Sequence, residues 1–213
     1  MPPDVGPSEI GRALEQLASG ELALVPTDTV YGLAAALSSS SGVDRLYETK
    51  QRPRSQPCQV LSYSPHVLAG ALDGCDSMVQ AAAMALLPGT VTCLVDDPWE
   101  RFTAASGGTP GSVGLRVPKV GPVLASVELT LVATSANHPG GDDPSRIEDV
   151  PADLRAAVGV VLDAGELPGV ASSVVDLRPV GRGQPARLIR RGPNAADVRK
   201  TLGAISVDLI ESD

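Results

Sequence analysis

The chain has 213 residues, a formal net charge of −8 and only one Trp, three Tyr and one Phe. An acidic chain is not typical of a general phosphate-backbone binder, and so few aromatic residues disfavour a base-stacking platform for single-stranded nucleic acid. The length is enough to bury one sizeable core built from Ala, Val and Leu, so we expect a single domain over residues 1–213.

The first predicted elements are a helix and a buried strand. Residues 8–19 carry apolar side chains at helical spacing, and Gly20 is typical of a helix end. The short apolar run Leu22–Val25 predicts a strand buried on both faces. Pro26 ends this strand, and the run Thr27–Thr29 then offers hydroxyl and carboxylate groups. Ligands of open α/β sheets usually bind at such strand ends.

A second helix is predicted over residues 41–50, beginning with a capping-box pattern at Ser41 and Asp44. Pro53 ends this helix and pushes Arg52 toward extended backbone. Lys50 and Arg52 could then converge on one anion, and two cations in a proline-bounded loop suit a polyphosphate. Taken alone, such a pair is more often a solvated pair of surface charges.

The remaining sequence alternates strand-like and helical segments. Strands are predicted at residues 58–62, 91–95, 113–117, 129–133, 160–163, 173–177 and 187–189. Helices are predicted at residues 65–72, 77–87, 120–127, 147–158 and 195–202. The polar segment 96–111 is either a flexible lid or a long loop. Because several strands follow one another directly, we expect an α/β fold with a mixed parallel and antiparallel sheet and helices packed on it.

Common catalytic signatures are absent from the sequence, which contains no P-loop, GxGxxG, GxSxG or HExxH motif. The two histidines, His66 and His138, are each more often loop or surface residues than ligands, so we expect neither a histidine base nor a metal site. Cys58, Cys75 and Cys93 lie far apart without metal-type spacing and are interpreted as reduced core thiols.

The sequence also predicts where the protein is found. The first ten residues have neither a basic leader nor an apolar core, which argues against a signal peptide. No run approaches the roughly 18 apolar residues that a membrane span needs. We therefore expect a cytoplasmic protein with no membrane partner.

Hydroxyl, amide and cationic side chains at predicted strand ends form the candidate site. The planar fork of arginine suits carboxylates and phosphates, and lysine acts as a point charge. Such a set matches phosphoryl or adenylyl transfer, in which the protein positions reactants and neutralises charge on phosphate oxygens. Singly, each serine or asparagine is more often a cap or turn residue. The set comprises Thr27, Lys50, Arg52, Arg116, Ser135, Asn137, Ser145, Ser172 and Arg190.

Arg116 stands out because it lies in the middle of the apolar run VGLRVP at residues 113–118. A guanidinium group in a buried strand needs a partner. The sequence leaves open whether that partner is a ligand or another part of the chain.

Six segments occur in a characteristic order along the chain. They are PTDTVYGL at 26–33, KQRPRSQP at 50–57, GLRVP at 114–118, TSAN at 134–137, SSVVD at 172–176 and LIRRG at 188–192. In this order and at roughly this spacing they resemble the YrdC-like family, whose best-known members are threonylcarbamoyl-AMP synthases. The likeness covers residues 9–203, nearly the whole chain.

The resemblance implies an ATP-dependent nucleotidyltransferase that joins L-threonine and bicarbonate into threonylcarbamoyl-AMP and releases pyrophosphate. The product would serve N6-threonylcarbamoyladenosine formation at position 37 of tRNA. It also implies a twisted mixed sheet with a deep, positively lined cavity. ATP and Mg²⁺ would arrive as substrates, with no tightly bound cofactor. Further implied partners are tRNA or double-stranded RNA and downstream tRNA threonylcarbamoyl-transfer proteins.

The resemblance also assigns roles to individual side chains. Threonine would be held by Thr27, Arg116, Ser135 and Ser172, with Arg116 as the mate of its carboxylate. The nucleotide and its phosphates would be held by Lys50, Arg52, Ser112, Asn137, Ser145 and Arg190. Lys50 and Arg52 are also the candidate catalytic residues.

The chain departs from the family pattern at Ala34, Leu61, Thr90, Ala171 and Arg191. The family often has histidine where Leu61 stands and glutamate where Ala171 stands, so polar groups near the expected threonine site are lost. Arg191, where the family often has proline, adds a cation near the expected nucleotide site. These differences bear on the amino-acid substrate more than on the nucleotide.

Two other functions stay open at this point. One is a YrdC-like module that binds RNA or a nucleotide without turnover, which the acidic composition and scarce aromatic residues disfavour. The other is a paralogue that acts on a different carbamoylated substrate, and Leu61 and Ala171 keep this alternative open.

Overall fold

The computed structural model describes residues 1–107 and 110–211. The strands are β1 (Ala23–Val25), β2 (Gly32–Ala36), β3 (Gln59–Ser62), β4 (Val91–Asp96), β5 (Ser112–Arg116), β6 (Thr130–Ser135), β7 (Val160–Val161), β8 (Ser173–Asp176), β9 (Ala186–Arg190) and β10 (Leu209–Glu211). The α-helices are α1 (Pro7–Ala18), α2 (Ser40–Thr49), α3 (Val67–Ala71), α4 (Ser77–Leu86), α5 (Pro122–Ala125), α6 (Ala152–Ala156) and α7 (Ala195–Ala204). Two 3₁₀ turns span Ile147–Asp149 and Arg178–Arg182.

The described strands form one sheet in the order β10-β9-β8-β4-β5-β3-β6-β2-β1-β7. Four neighbouring pairs are parallel, namely β1/β7, β3/β5, β4/β8 and β9/β10. The pairs β1/β2, β2/β6, β3/β6, β4/β5 and β8/β9 are antiparallel. The mixed sheet predicted from direct strand-to-strand steps is therefore confirmed.

Alternation of side chains divides the sheet into two faces. On one face, residues such as Leu33, Val60 and Val132 enter a large core that also contains the buried sides of α2, α4 and α7. On the other face, Ala34 and Leu131 enter a smaller core. That core is closed by α1 and α5 and lies toward the β1 side of the sheet.

Several predicted elements are shorter than the sequence pattern suggests. The helix predicted over residues 147–158 is interrupted because Pro151 supplies no backbone N–H, and only Ala152–Ala156 is α-helical. Pro122 starts α5 inside the predicted 120–127 helix. α2 is capped by Ser39, whose hydroxyl accepts a hydrogen bond from the Gly42 N–H at 3.1 Å, rather than by the predicted Ser41 pattern.

The sequence of residues 77–87 is apolar nearly all round, which favours a buried helix, but the structure buries only part of its surface. Val79, Ala82 and Ala83 of α4 are fully buried, whereas the Met84 side chain is 59% exposed. α4 therefore packs against the sheet through one face only.

The polar segment 96–111 packs against the rest of the chain over its described residues 96–107 and 110–111; residues 108 and 109 of that prediction lie outside the described structure. The Asp97 carboxylate accepts hydrogen bonds from the backbone N–H groups of Arg101 and Phe102 at 3.1 and 2.8 Å. Phe102 is buried, and the Ala105 carbonyl accepts a hydrogen bond from the Cys58 N–H at 2.9 Å. The described part therefore behaves as a packed loop.

Within the described residues, every helix is too short or too polar to cross a membrane.

Candidate functional site

A cavity of about 290 Å³ opens on the sheet face that carries the smaller core. Its floor is formed by strands β4, β5, β3, β6 and β2, and its walls come from the segments that follow β1, α2 and β6. The described polar lining residues are Thr27, Thr29, Arg52, Gln59, Thr92, Arg116, Thr134, Ser135, Asp143, Ser172 and Arg190.

Small residues make room for this cavity. Gly32, Gly114 and Ala133 lie on the floor strands at positions whose side chains would point into the open space. A Cβ atom added at Gly114 would lie 3.3 Å from both Thr92 Cγ2 and Leu94 Cδ2. Glycine at this position therefore keeps the centre of the floor flat, and the space above it is left for a ligand.

Three guanidinium groups surround the cavity, those of Arg52, Arg116 and Arg190, together with the carboxylate of Asp143. The three arginines lie at different depths. Arg116 is 1% exposed, whereas Arg52 is half-buried and Arg190 is exposed. The cavity thus has a cation at its base and two nearer its mouth, an arrangement that suits an anionic ligand.

Arg116 has partners within the chain, as a guanidinium group in a buried strand requires. Its Nη2 donates to the carboxylate of Asp28 and, at 3.4 Å, to the hydroxyl of Thr29, and its Nη1 donates to the Val91 carbonyl at 3.2 Å. The second carboxylate oxygen of Asp28 accepts a hydrogen bond from the Lys119 N–H at 2.8 Å. Burial lowers the pKa of Arg116, and the negative charge of Asp28 opposes this shift.

The turn after β1 holds these groups in place. The Thr27 hydroxyl donates to the Val30 carbonyl at 2.7 Å and accepts from the backbone N–H groups of Thr29 and Val30, both at 3.1 Å. Thr27 is buried and lines the cavity, so its hydroxyl both closes the turn and faces the site. The sequence predicts polar groups at the end of a buried strand here, and Thr27 and Thr29 of that turn line the cavity.

A chain of hydrogen bonds crosses the cavity floor from β9 to β3. Arg190 Nη2 lies 3.3 Å from the Ser172 hydroxyl, and Ser172 Oγ lies 3.1 Å from Thr92 Oγ1. Thr92 Oγ1 donates to Gln59 Oε1 at 3.0 Å. Arg190 Nε also donates to the Ser172 carbonyl at 3.0 Å. The side chains of Arg190 on β9, Thr92 on β4 and Gln59 on β3 are therefore fixed relative to one another through Ser172, which directly precedes β8.

Lys50 holds the turn that follows β6. Its Nζ donates to the Ser135 carbonyl at 2.8 Å, to the Asn137 carbonyl, and to Asn137 Oδ1 at 3.3 Å. Lys50 is 3% exposed and is not among the described lining residues. Lys50 and Arg52 have different partners in the structure, since Arg52 Nε and Nη2 donate to the carbonyls of Gln56 and Pro57 at 3.3 and 2.6 Å. Of the two cations, Arg52 belongs to the described lining, so the expected convergence on one anion is not seen.

The pKa of Lys50 gives a testable pH dependence. Burial of the ammonium group, assisted by the positive charge of Arg52, lowers this pKa from 10.5 to about 8. We expect the Arg52→Met variant to have a higher Lys50 pKa, because the repulsive charge is gone. The measurement is an NMR titration of protein labelled at its three lysines, Lys50, Lys119 and Lys200.

In this titration Lys119 and Lys200 serve as internal references, since only the Lys50 signal should respond to the Arg52 substitution. An unchanged Lys50 titration in Arg52→Met would contradict the assigned cause. The direction for stability follows from the lowered pKa in the folded state. Between pH values of about 8 and about 10.5, the unfolded chain still holds the Lys50 proton while the folded chain has lost it. The contribution of Lys50 to the free energy of unfolding therefore increases as the pH rises through this interval.

Other candidate residues are used for local structure. The Asn137 side chain accepts a hydrogen bond from the Ser135 hydroxyl at 2.7 Å and donates to the Gly141 carbonyl at 2.8 Å. Ser145 donates to the Asp149 carboxylate at 2.9 Å, and Ser112 accepts from Arg178 at 3.1 Å. Asn137, Ser145 and Ser112 are not among the described lining residues.

The departures from the family pattern fall at different distances from the cavity. Ala171 lines it, whereas Leu61 is fully buried in the smaller core. Arg191 does not add a cation to the cavity, because it is exposed and pairs with Glu211. Of these three departures, Ala171 alone belongs to the described lining.

The cysteines and histidines have the structural positions that the sequence suggested. Cys58, Cys75 and Cys93 are buried with free thiols. His138 lies on the surface, with Nε2 3.1 Å from the Asp153 carboxylate. Among residues 1–107 and 110–211, no group of three or more His, Cys, Asp and Glu side chains is arranged to hold a metal ion.

Sequence reasoning missed Gln59, Thr92 and Asp143 as lining residues. Gln59 and Thr92 stand within apolar strands, and each is a polar residue on the face that carries Gly114. The available signal was an isolated polar side chain in a buried strand, the same signal that makes Arg116 stand out. Asp143 stands in an irregular segment, where no period indicates its direction.

Comparison with known proteins gives consistent results. The family model for Sua5, YciO and YrdC, described as telomere recombination, matches residues 15–192. A Mycobacterium leprae protein provisionally named threonylcarbamoyl-AMP synthase is 31% identical, over 98% of this chain and 94% of its own length. The threonylcarbamoyl-AMP synthase of Bacillus subtilis is 28% identical, over 96% of this chain and 60% of its own length.

Solved structures show the same fold. The Pyrococcus abyssi Sua5 structure complexed with L-threonine has a TM-score of 0.79 and 25% identity, and it is matched over 97% of this chain and 60% of its own chain. Escherichia coli YciO has a TM-score of 0.77 and 19% identity, over 92% of this chain and 95% of its own. This chain thus spans about three fifths of the Sua5 structure and nearly all of YciO. On the extent of the family match, the chain belongs to the Sua5/YciO/YrdC family.

Proposed function

We propose that this protein is a nucleotidyltransferase that forms threonylcarbamoyl-AMP from L-threonine, bicarbonate and ATP. The threonine amine and bicarbonate give a carbamate and water, and a carbamate oxygen attacks the α-phosphorus of ATP while pyrophosphate leaves. The observation that carries the proposal is the cavity that Arg52, Arg116 and Arg190 share. Relatives named threonylcarbamoyl-AMP synthase and a Sua5 structure with L-threonine support the choice of substrates.

The depths of the three arginines suggest how the substrates are arranged. Threonine is placed deep, near Arg116, with Thr27, Ser135 and Ser172 on the lining around it. ATP is placed at the mouth, where Arg52 and Arg190 face its phosphates. Because the carbamate and the triphosphate are both anions, fixed cations lower the cost of bringing them together.

ATP arrives with Mg²⁺ as a substrate in this proposal. Mg²⁺ commonly binds through one or two carboxylates together with substrate phosphates. Asp143 is the carboxylate on the described lining and fits that role. The product would pass to tRNA threonylcarbamoyl-transfer proteins in the cytoplasm, which use it to modify adenosine 37 of tRNA. A direct contact between this protein and tRNA is part of the same proposal.

The turnover experiment mixes purified protein with ATP, Mg²⁺, bicarbonate and L-threonine and measures pyrophosphate. We expect release that needs all four components, with threonylcarbamoyl-AMP identified by mass spectrometry. Testing each of the twenty amino acids then addresses the substrate choice that Ala171 leaves open. No pyrophosphate with any amino acid would overturn the proposal, and salt-sensitive RNA binding without turnover would favour a binding module instead.

Arg190 and Arg191 form a matched pair for testing the nucleotide site. Arg190 lines the cavity, whereas its sequence neighbour Arg191 pairs with Glu211 on the surface. Arg190→Ala is expected to weaken ATP binding about 10- to 100-fold, because hydrogen bonds to charged groups contribute about 1.5–3 kcal/mol. Arg191→Ala should bind ATP as the wild type does. Calorimetry that shows equal losses in both variants would contradict this placement of the nucleotide.

A further inference from the structure

Gln59 is the long polar side chain at the centre of the cavity floor. In the sheet register its neighbours are Gly114 on β5 and Ala133 on β6, and neither presents a side chain longer than a methyl group. All three residues line the cavity. Because its two neighbours have no long side chain, the Gln59 side chain projects from the floor into the cavity, and its amide group can contact a bound molecule.

The hydrogen-bond chain fixes which atoms of this amide face the cavity. Thr92 donates its single hydrogen to Gln59 Oε1 and therefore accepts from the Ser172 hydroxyl. Ser172 in turn accepts from Arg190, which can only donate. Among the hydrogen bonds of the described residues, Gln59 Nε2 has no acceptor, so both of its hydrogens are available to a ligand in the cavity.

Gly114 makes this orientation possible. Thr92 is on β4 and Gln59 is on β3, so their 3.0 Å hydrogen bond crosses above the intervening strand β5. A Cβ atom at residue 114 would come within 3.3 Å of Thr92 Cγ2. The bare backbone at Gly114 therefore lets two strands that are not adjacent share a hydrogen bond on the cavity floor.

We infer that the Gln59 side-chain amide binds a planar oxyanion of the carboxylate type in this cavity. The inference rests on the proposed function and adds a binding residue to it. A two-hydrogen donor at the floor of a cavity with guanidinium groups at its base and mouth complements the oxygens of such an anion. Two of the proposed substrates carry this group, namely the amino acid with its α-carboxylate and bicarbonate.

The test compares Gln59→Leu and Gln59→Glu with the wild type by direct binding. Calorimetry measures the Kd of L-threonine, and ¹³C NMR measures the Kd of labelled bicarbonate. We expect Gln59→Leu to raise the Kd of one of the two anions about tenfold, because a hydrogen bond to a charged group is lost. Gln59→Glu should raise that Kd further, because its carboxylate repels the anion. A change for threonine assigns the α-carboxylate, and a change for bicarbonate alone assigns that ion.

Gln184→Leu is the control, because Gln184 is exposed and stands outside the described lining. The ATP affinity and the melting temperature of Gln59→Leu, which adds no charge to the cavity, should stay near the wild-type values. Three results would overturn the inference. They are unchanged affinity of Gln59→Leu for both anions, wild-type protein that binds neither anion, and an equal loss of affinity for both anions and for ATP in Gln59→Leu. These binding measurements need no turnover. The role of Gln59 can therefore be tested even if the protein releases no pyrophosphate, and the inference and the proposed reaction can fail separately.

Discussion

Replacing Arg116 with methionine is expected to lower the free energy of unfolding by about 3–5 kcal/mol, the cost typical of breaking a buried ion pair by removing one partner. The side chains of Arg116 and Asp28 are only 1% and 9% exposed. Methionine fills much of the space but leaves the Asp28 carboxylate buried without its cation. Urea denaturation at pH 7 measures the change as a lower midpoint with an unchanged slope.

The double variant Asp28→Asn/Arg116→Met separates loss of the pair from exposure of an unpaired charge. Because asparagine removes the stranded carboxylate, we expect the double variant to be more stable than Arg116→Met alone. Arg146→Met is the surface control, since Arg146 and Glu166 pair at 2.7 Å while both are more than half exposed, and such pairs contribute at most about 1 kcal/mol. If Arg116→Met were no more destabilising than Arg146→Met, the buried pair would not support the fold.

The need for a partner at Arg116 could be predicted from the sequence, but its identity could not. A guanidinium group in an apolar strand must be satisfied, which is a local argument. Asp28 is 88 positions away in the chain and reaches Arg116 only because β1 and β5 belong to one sheet. The PTDT segment was interpreted as a source of groups that contact a ligand. In the structure its aspartate, Asp28, instead forms an ion pair with Arg116.

The main strands were predictable because alternating or continuous apolar runs indicate them directly. β2 was missed since its sequence GLAAA offers small residues without a period, and β10 was missed because it is a three-residue edge strand. The predicted mixed sheet still followed, as the order of the longer strands decides it. The sequence predicted the mixed character of the sheet but not its strand order, which depends on pairings between distant segments.

Lys50 shows why side-chain direction was harder to predict than position. Its spacing from Arg52 predicts two cations on one anion, yet Lys50 donates to carbonyls of the turn after β6 and Arg52 donates to the carbonyls of Gln56 and Pro57. Between Lys50 and Arg52, Gln51 has a positive φ of 48°. A glutamine in the sequence does not indicate this left-handed conformation, whereas a glycine or an asparagine would. The sequence thus locates the KQR segment at the site without showing that its lysine faces the TSAN turn.

Replacing Lys50 with methionine is expected to reduce kcat/KM for ATP-dependent pyrophosphate release about 10- to 100-fold, although Lys50 does not line the cavity. Its ammonium group donates to the carbonyls of Ser135 and Asn137 and so fixes a turn whose Ser135 does line it. Charge-assisted hydrogen bonds of this kind contribute about 1.5–3 kcal/mol. Without them the turn is expected to sample several positions, and the substrates lose a fixed wall.

The stability of the Lys50→Met variant should change much less than its activity. Substitution removes the cost of burying a charge, which is the same cost that lowers the pKa of Lys50 to about 8. It also leaves two carbonyl groups without a donor, and the two effects oppose each other. Lys200→Met, at an exposed position on α7, is the control for loss of a lysine. Wild-type activity in Lys50→Met, or a loss of activity fully explained by unfolding, would show that Lys50 does not organise the site.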